Sequence, residues 1–484
     1  MFRVVRKSFS DRNISHFIIL ILLSVLAYLI LLDVNWTLQN FGDDCQILGT
    51  IGKGKPSHSW VGVGRFWPLG LADYSILLLF SETPSIFHLF LFNAFIMVSS
   101  VLLLFHFLQR ESGNWWISLF FSVTLIAVSS FLQIHIYLIY PERFIFFLQA
   151  VYMYFWWLGS KKQSLMCYFV AWVAITYSLF TKEPIFGMVF VIAFVNLFFG
   201  WRKLTEKDKI FHIAQLISSF FFIWFYLFVL ANMGIGSNHM YAFAFECFKS
   251  SFSIMMSFFH QDPFLICIFL LAFIRAYMVL VKSDKRCLFS DSLLFGAIAY
   301  VMAYVLLGFR HSYYIFPAIV FSLPSCAYWC GYFLRKRRSI ACSIVICCSI
   351  SVIPSIYQSY NYVLDVYKGR REDMAFVDKL VDLRLNGNKL YYFTKGVSLQ
   401  SFTPSSRYLC ACFYKAWREF LNYRKENRVP HLDDDILIPI ENLYELPQHC
   451  VVICPQDADQ ASKDYLKFGF HLMGSAIWTD VYKR

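Results

Sequence analysis

Residues Ile14 to Asp44 read ISHFIILILLSVLAYLILLDVNWTLQNFGDD. The run Ile14 to Leu32 contains no Asp, Glu, Lys or Arg and is long enough for one helical membrane crossing, which takes about 20 apolar residues. It follows a basic start with Arg3, Arg6, Lys7 and Arg12, and it passes into Asp33 and Asn35 without a small-x-small cleavage site. This is the pattern of an uncleaved anchor rather than a signal peptide. The acidic pair Asp43 and Asp44 therefore emerges shortly after the first crossing, on the side away from the basic start.

The rest of the 484-residue chain repeats that texture. It is 58% apolar, 20% aromatic and only 15% charged, with a mean hydropathy of +0.54. Soluble domains run nearer 45–50% apolar and about 25% charged. Eleven segments qualify as crossings: Ile14 to Leu32, Ser85 to Leu108, Trp115 to Leu132, Phe144 to Leu158, Leu165 to Phe180, Ile185 to Phe199, Ile210 to Leu230, Phe264 to Val281, Leu288 to Leu307, Tyr313 to Leu334 and Ile340 to Ile356. The count falls to nine if the short fifth and sixth do not cross.

Charge gives the orientation. With a cytoplasmic amino terminus, the inner segments hold eighteen Lys and Arg, while the outer loops before the tail hold seven: Lys53, Lys55, Arg65, Arg143, Lys182, Lys249 and Arg310. This is a positive-inside pattern. The net charge of +12 thus reports topology and gives no reason to expect nucleic acid. An odd number of crossings puts the carboxyl tail outside.

The expected organisation is a transmembrane domain over residues 1–357, with a first outer loop at 33–84, and a soluble α/β domain over 358–484. The tail is near neutral. In it, Met374, Val377, Leu380 and Val381 recur at helical period, Lys389 to Thr394, Ile436 to Ile440 and Cys450 to Cys454 read as strands, and Ser406 to Lys425 and Asp457 to Leu466 as helices. Cys410, Cys412, Cys450 and Cys454 could hold one disulfide, whereas their spacings do not match paired zinc motifs. Asp433, Asp434 and Asp435 read as a solvated loop.

Ionisable groups at the membrane rim are costly and so mark candidate sites. On the outer side they form four clusters. The first loop offers Asp43, Asp44, His58, and Gly64-Arg65-Phe66-Trp67. The loop after the third span offers His135, Tyr140, Glu142 and Arg143. The next turn offers Lys182 and Glu183, and a later one Arg310 and His311. A carboxylate near a second carboxylate and apolar walls becomes a better base near neutral pH. Arg and Lys can stabilise a phosphate as it leaves. Structural roles compete with each assignment. Glu142 with Arg143 and Lys182 with Glu183 could be local ion pairs ending helices, Trp67 an interfacial anchor, and the three histidines packing residues. Arg275 is expected to snorkel to the cytoplasmic phosphates.

A first span, an outer loop with an Asp-Asp pair, many further spans and an outer tail together resemble the GT-C class of integral membrane glycosyltransferases. Within it, the chain resembles the serotype-converting O-antigen glucosyltransferases of temperate bacteriophages and enteric bacteria. The likeness rests on Asp43-Asp44, Gly64-Arg65-Phe66, Pro141-Glu142-Arg143 and Lys182-Glu183. It implies a multi-pass protein of the bacterial inner membrane with a periplasmic active site. The implied donor is undecaprenyl-phosphate-glucose, made by a lipid-glucose synthase and turned over by a small flippase. The implied acceptor is a hydroxyl of lipopolysaccharide O-antigen. Asp43 or Asp44 would be the base of an inverting displacement, and Arg143, Lys182 and Arg310 would serve the leaving phosphate. Arg65, Glu142, Glu183 and His311 would complete the substrate site, with His58, Trp67 and Tyr140 on the acceptor side. No cofactor is required and a divalent cation is optional. Tyr391, Tyr392, Tyr408, Tyr414 and Trp417 of the tail could stack on sugars or form its core. Two rival functions are an O-antigen polymerase, which usually has a large mid-chain outer loop, and a lipid-linked sugar transporter, which places polar groups at the bilayer midplane.

Overall fold

Proline and glycine set the boundaries of the helices. Pro141, Pro184 and Pro263 each stand immediately before a helix, where the fixed φ of the ring suits the first turn and the missing N–H costs nothing. Gly308 ends another helix at a φ of +82°, in the left-handed region open to a residue without Cβ. The computed structural model describes residues 2–32, 47, 51, 54, 60–62, 65–232, 245–284, 286–393, 421, 437–440, 442–443, 446–447, 449–455, 466–467, 470–476 and 479–483.

The helices are α1 (Phe2–Leu31), α2 (Ile86–Ser112), α3 (Trp115–Ala127), α4 (Ser129–Ile136), α5 (Glu142–Lys162), α6 (Leu165–Thr181), α7 (Ile185–Gly200), α8 (Glu206–Asn232), α9 (Phe245–Gln261), α10 (Phe264–Leu280), α11 (Leu288–Leu307), α12 (Phe316–Lys336) and α13 (Arg338–Leu385). Short 3-10 turns occupy Ala72–Leu79 and Ser312–Ile315. Among the described residues six helices are each long and apolar enough to cross a membrane, and up to eight crossings result if each bent pair counts as one. The bent pairs are α3 with α4, at 65°, and α9 with α10, at 116°. α6 and α7 are shorter apolar helices. The chain is a multi-pass membrane protein, and its eleven apolar segments are essentially helical, the third crossing the bend between α3 and α4 and the tenth beginning in the 3-10 turn Ser312–Ile315.

Two ends of the bundle can be told apart. At one end the guanidinium of Arg12 lies over Trp115, Arg335 donates to the Ser112 carbonyl, Arg286 to the Tyr332 hydroxyl and Lys207 to the Gln163 carbonyl. Lys161 and Lys162 end α5 here. Arg275 does not snorkel. It is buried, donates twice to Asp291 at 2.9 and 2.7 Å, reaches Asp284 at 3.3 Å and covers the Trp329 ring. A guanidinium with two carboxylates within reach and an aromatic face beneath it gains more from them than from extending to lipid phosphates. The opposite end gathers the starts of α5, α7 and α12.

Close backbone approach holds the bundle at one point in particular. A Cβ on Gly331 of α12 would sit 2.3 Å from the Ser112 carbonyl oxygen of α2, so only glycine fits.

The tail forms strands β3 (Lys389–Phe393), β4 (Ile438–Ile440), β5 (Cys450–Pro455), β6 (His471–Ala476) and β7 (Thr479–Lys483). Their order is β4-β3-β5-β7-β6, with β4, β3 and β5 parallel and β7 antiparallel to both neighbours. The helix expected at Glu372 to Leu385 is the end of α13, which runs unbroken through residues 357 and 358. Successive strand residues alternate in face. Leu390, Tyr392, Val451, Ile453 and Val481 share a core with Val377, Leu380 and Val381 of α13, while Tyr391, Phe393, Cys450, Val452 and Cys454 fill a second, smaller core. Tyr391 and Tyr392 are therefore packing residues; Tyr408, Tyr414 and Trp417 lie outside the described residues, as do most of the helices expected at Ser406 to Lys425 and Asp457 to Leu466. Cys450 and Cys454 stand four residues apart on one strand, about 13 Å by strand rise, too far to bridge each other. Cys410, Cys412 and Asp433 to Asp435 lie outside the described residues.

Candidate functional site

At the end opposite the basic loops, the sequence pairs Glu142-Arg143 and Lys182-Glu183 meet. Pro141 starts α5 with Glu142 and Arg143 in its first turn, and Lys182 and Glu183 occupy the turn between α6 and Pro184. Their side chains pair across elements rather than with their sequence neighbours. Lys182 donates to Glu142, and Arg143 donates to Asp73 at 2.6 Å. All four are buried, as is Glu183. So many ionised groups removed from water are tolerable only because they are matched.

Asp73 is the member that sequence reading missed. It lies in the 3-10 turn Ala72–Leu79, within the first outer loop. The available signal is an acid flanked by an otherwise apolar run, Leu69-Gly-Leu-Ala-Asp-Tyr-Ser-Ile-Leu-Leu-Leu-Phe80. Its neighbour Tyr74 presents its ring to the Arg143 guanidinium at 3.9 Å. The Tyr74 hydroxyl stands 2.9 Å from Asn93 Oδ1 and 3.1 Å from the Leu138 carbonyl oxygen. Just upstream, the Leu69 N–H donates to the Phe180 carbonyl at 2.9 Å, tying the loop to the end of α6 beside Lys182.

Aromatic rings connect this buried cluster to the rim. Lys182 Nζ lies 4.5 Å from the Tyr314 ring and 5.7 Å from the Tyr313 ring. Tyr313 stacks on Tyr140 at 4.2 Å, and the exposed His311 stacks on Tyr313 at 5.7 Å. Tyr137 meets Tyr140 at 5.2 Å and carries the guanidinium of Arg370, from α13, 5.4 Å from its own ring centroid. Arg310 is exposed at the same rim, its carbonyl accepting from Gln261 at 2.9 Å.

α4 positions the approach to the cluster. Its first residue, Ser129, donates its N–H and its hydroxyl to Asp262 at 3.4 and 3.1 Å, and Ser355 of α13 donates to the same oxygen at 3.3 Å. At the other end Arg370 reaches the Ile136 carbonyl at 3.5 Å. Asp262 and Arg370 are fully buried. His135, on α4, is also fully buried, packs against Phe131 and Phe146, and its ring nitrogens have no hydrogen-bond partner among the described residues. That is the environment of a packing residue.

Of the sequence candidates, Glu142, Arg143, Lys182, Glu183, Tyr140, Arg310 and His311 thus come together at one end. Arg65 and Trp67 lie on β2 (Arg65–Trp67), which pairs antiparallel with β1 (Trp60–Gly62) with Trp60 opposite Trp67 in register, so they belong to a strand rather than a simple turn. Asp43, Asp44 and His58 lie outside the described residues. Among the described residues no three His, Cys, Asp or Glu side chains converge as a metal site would require.

No family model matches the chain, and no curated protein sequence matches it. Solved structures do. ArnT from Cupriavidus metallidurans bound to undecaprenyl phosphate is similar over 96% of this chain and 97% of its own, at 11% identity and a TM-score of 0.49. Its apo form gives 0.45 over the same shares. The Archaeoglobus fulgidus oligosaccharyltransferase in complex with zinc and sulfate is similar over 91% of this chain and 68% of its own, at 11% identity and a TM-score of 0.46.

Proposed function

We propose that this protein transfers a sugar from a polyprenyl-phosphate donor to an acceptor hydroxyl at the outer face of the membrane. The finer reading is a glucosyl transfer from undecaprenyl-phosphate-glucose to O-antigen, with eleven crossings, a cytoplasmic amino terminus and a periplasmic site and tail. The observation that carries it is the buried cluster Asp73–Arg143 and Glu142–Lys182, roofed by tyrosines, at the end opposite the basic loops. Motifs on which the GT-C likeness rests supply three of its four members, and the loop that holds Asp43 and Asp44 supplies the fourth.

In this reading Asp43 or Asp44 takes the proton of the acceptor hydroxyl. The freed oxygen attacks the anomeric carbon from the side opposite the lipid phosphate, the sugar–phosphate bond breaks, and the phosphate leaves with the electron pair. Charge then grows on the phosphate, and cations aimed there stabilise it. Arg143 is committed to Asp73 and closed over by Tyr74. Lys182, next to the aromatic path from the rim, and the exposed Arg310 are better placed to meet a phosphate arriving from the bilayer. A metal is not obligatory in this reading, because a lipid phosphate carries less charge than a nucleotide, and a divalent cation is an optional addition.

The test is to express the protein with a lipid-glucose synthase and flippase and to weigh the O-antigen repeat by mass spectrometry. The expected result is one added hexose, lost in at least one of Asp43→Asn and Asp44→Asn while membrane insertion is kept. No added hexose from well-expressed protein, or normal transfer by both variants, overturns the proposal.

A further inference from the structure

The basic end holds two arginines and two histidines in an arrangement that the transfer reaction does not use. Arg12 and His16 are four residues apart on α1, and His106 and Arg110 are four apart on α2, which runs the other way. Residues at this spacing share a helix face about 6 Å apart along the axis. The two pairs therefore face each other in tiers. The histidines form the deeper tier, ring centroids 5.0 Å apart, and the arginines the tier nearer the helix ends.

Trp115, the first residue of α3, closes one side. Its ring lies 4.8 Å from His16, 6.1 Å from His106 and 5.8 Å from the Arg12 guanidinium. Arg110 rests over Trp157 at 5.8 Å. Tryptophan with its apolar body and polar edge marks the headgroup level of a bilayer. The His16 Nδ1 donates to the Arg12 carbonyl at 2.7 Å, since a carbonyl can only accept.

No carboxylate balances these groups. Among the described residues none of the four is in an ion pair. Glu111, beside Arg110 in sequence, instead accepts from Ser290 at 2.6 Å on α11. Arg12 and Arg110 bring like charges to one narrow gap between α1 and α2, with the two histidines between them. At a membrane surface the group that relieves this is a phosphate, and basic recesses between helices on the cytoplasmic side bind anionic headgroups. Both arginines are exposed and both histidines are half-buried, so a headgroup can reach them from the bilayer rim.

We propose that Arg12, His16, His106 and Arg110, with Trp115, bind the phosphate group of an anionic phospholipid at the basic end. The site is separate from the transfer cluster and holds α1 to α2.

The test uses the full chain in neutral detergent, following thermal unfolding by tryptophan fluorescence while titrating dihexanoyl-phosphatidylglycerol, dihexanoyl-phosphatidylcholine or sodium phosphate at matched ionic strength. Phosphatidylglycerol is expected to raise the midpoint and phosphatidylcholine to leave it. Both R12Q/R110Q and H16N/H106N should raise the half-saturating concentration at least tenfold. R337Q, an exposed cation at the same end, should leave it unchanged. A response to sodium phosphate as strong as to phosphatidylglycerol identifies the free ion as sufficient, and a response to the lipid alone identifies the headgroup. Parent-like half-saturation in both double variants, or an equal loss in R337Q, overturns the site.

Discussion

Replacing Arg143 with Met tests whether the buried cluster is built from matched charges. Arg143 and Asp73 are shielded from water and meet at 2.6 Å, so at an effective dielectric of about 20 their attraction is about 6 kcal/mol. Desolvating the two ions offsets most of it, at several kcal/mol each. The pair as a whole therefore adds little, whereas removing one partner leaves the other charge buried and alone, at about 3–5 kcal/mol. R143M also removes the cation from the Tyr74 face, worth up to about 2 kcal/mol when desolvated, within that same loss. R143M and D73N should each cost about 3–5 kcal/mol, and the double variant D73N/R143M should cost at least 2 kcal/mol less than their sum. The assay is reversible unfolding in mixed micelles titrated with dodecyl sulfate, with helicity read by circular dichroism. Additive single costs, or single costs under about 1 kcal/mol, refute the matched-charge account.

Other outcomes follow from single contacts. G331A places a Cβ against the Ser112 backbone and should destabilise by about 1–3 kcal/mol, whereas G187A, with nothing within 4 Å of the new carbon, should be neutral or stabilising in the same unfolding assay. D262L strips the acceptor from Ser129 and Ser355 and should cost about 1–3 kcal/mol, while D262N, which keeps an acceptor oxygen, should recover most of it. Hydrogen bonds from Arg286, and then from Arg275, hold the Asp284 carboxyl well below its ordinary value. Its contribution is complete above about pH 4 and is lost as the pH falls through the depressed folded value, so D284N should flatten the fall in unfolding midpoint between pH 5 and acid. Y313A should reduce sugar transfer more than Y313F, because the ring and not the hydroxyl stacks on Tyr140 and faces Lys182.

Much of the site was legible before any coordinates. Pro141, Pro184 and Gly308 are punctuation whose backbone effect is local, so the turns holding Glu142, Arg143, Lys182, Glu183, Arg310 and His311 could be placed on one side by charge alone. The partners could not. Glu142 and Arg143 read as a local ion pair, yet one turns to Lys182 and the other to Asp73, 70 residues away. Asp73 is a lone acid in an apolar run, and Arg370 is one of many charges after residue 357. Each acquires meaning only from what α5, α6 and α13 bring beside it.

By itself the sequence determined a multi-pass helical membrane protein, its basic and opposite ends, the helix at Glu372 to Leu385 and the strands beginning at Lys389 and Cys450. Those features depend on periodicity, length and charge balance, which are properties of a segment. Only the tertiary structure decided that α13 continues from the membrane into the tail, that β6 and β7 complete the sheet, that Arg275 is locked to Asp291 and that Arg143 and Lys182 are paired with Asp73 and Glu142. Pairing depends on which helices pack together, and burial makes an unmatched charge too costly to keep, so the partners are chosen by the fold and not by neighbours in the chain.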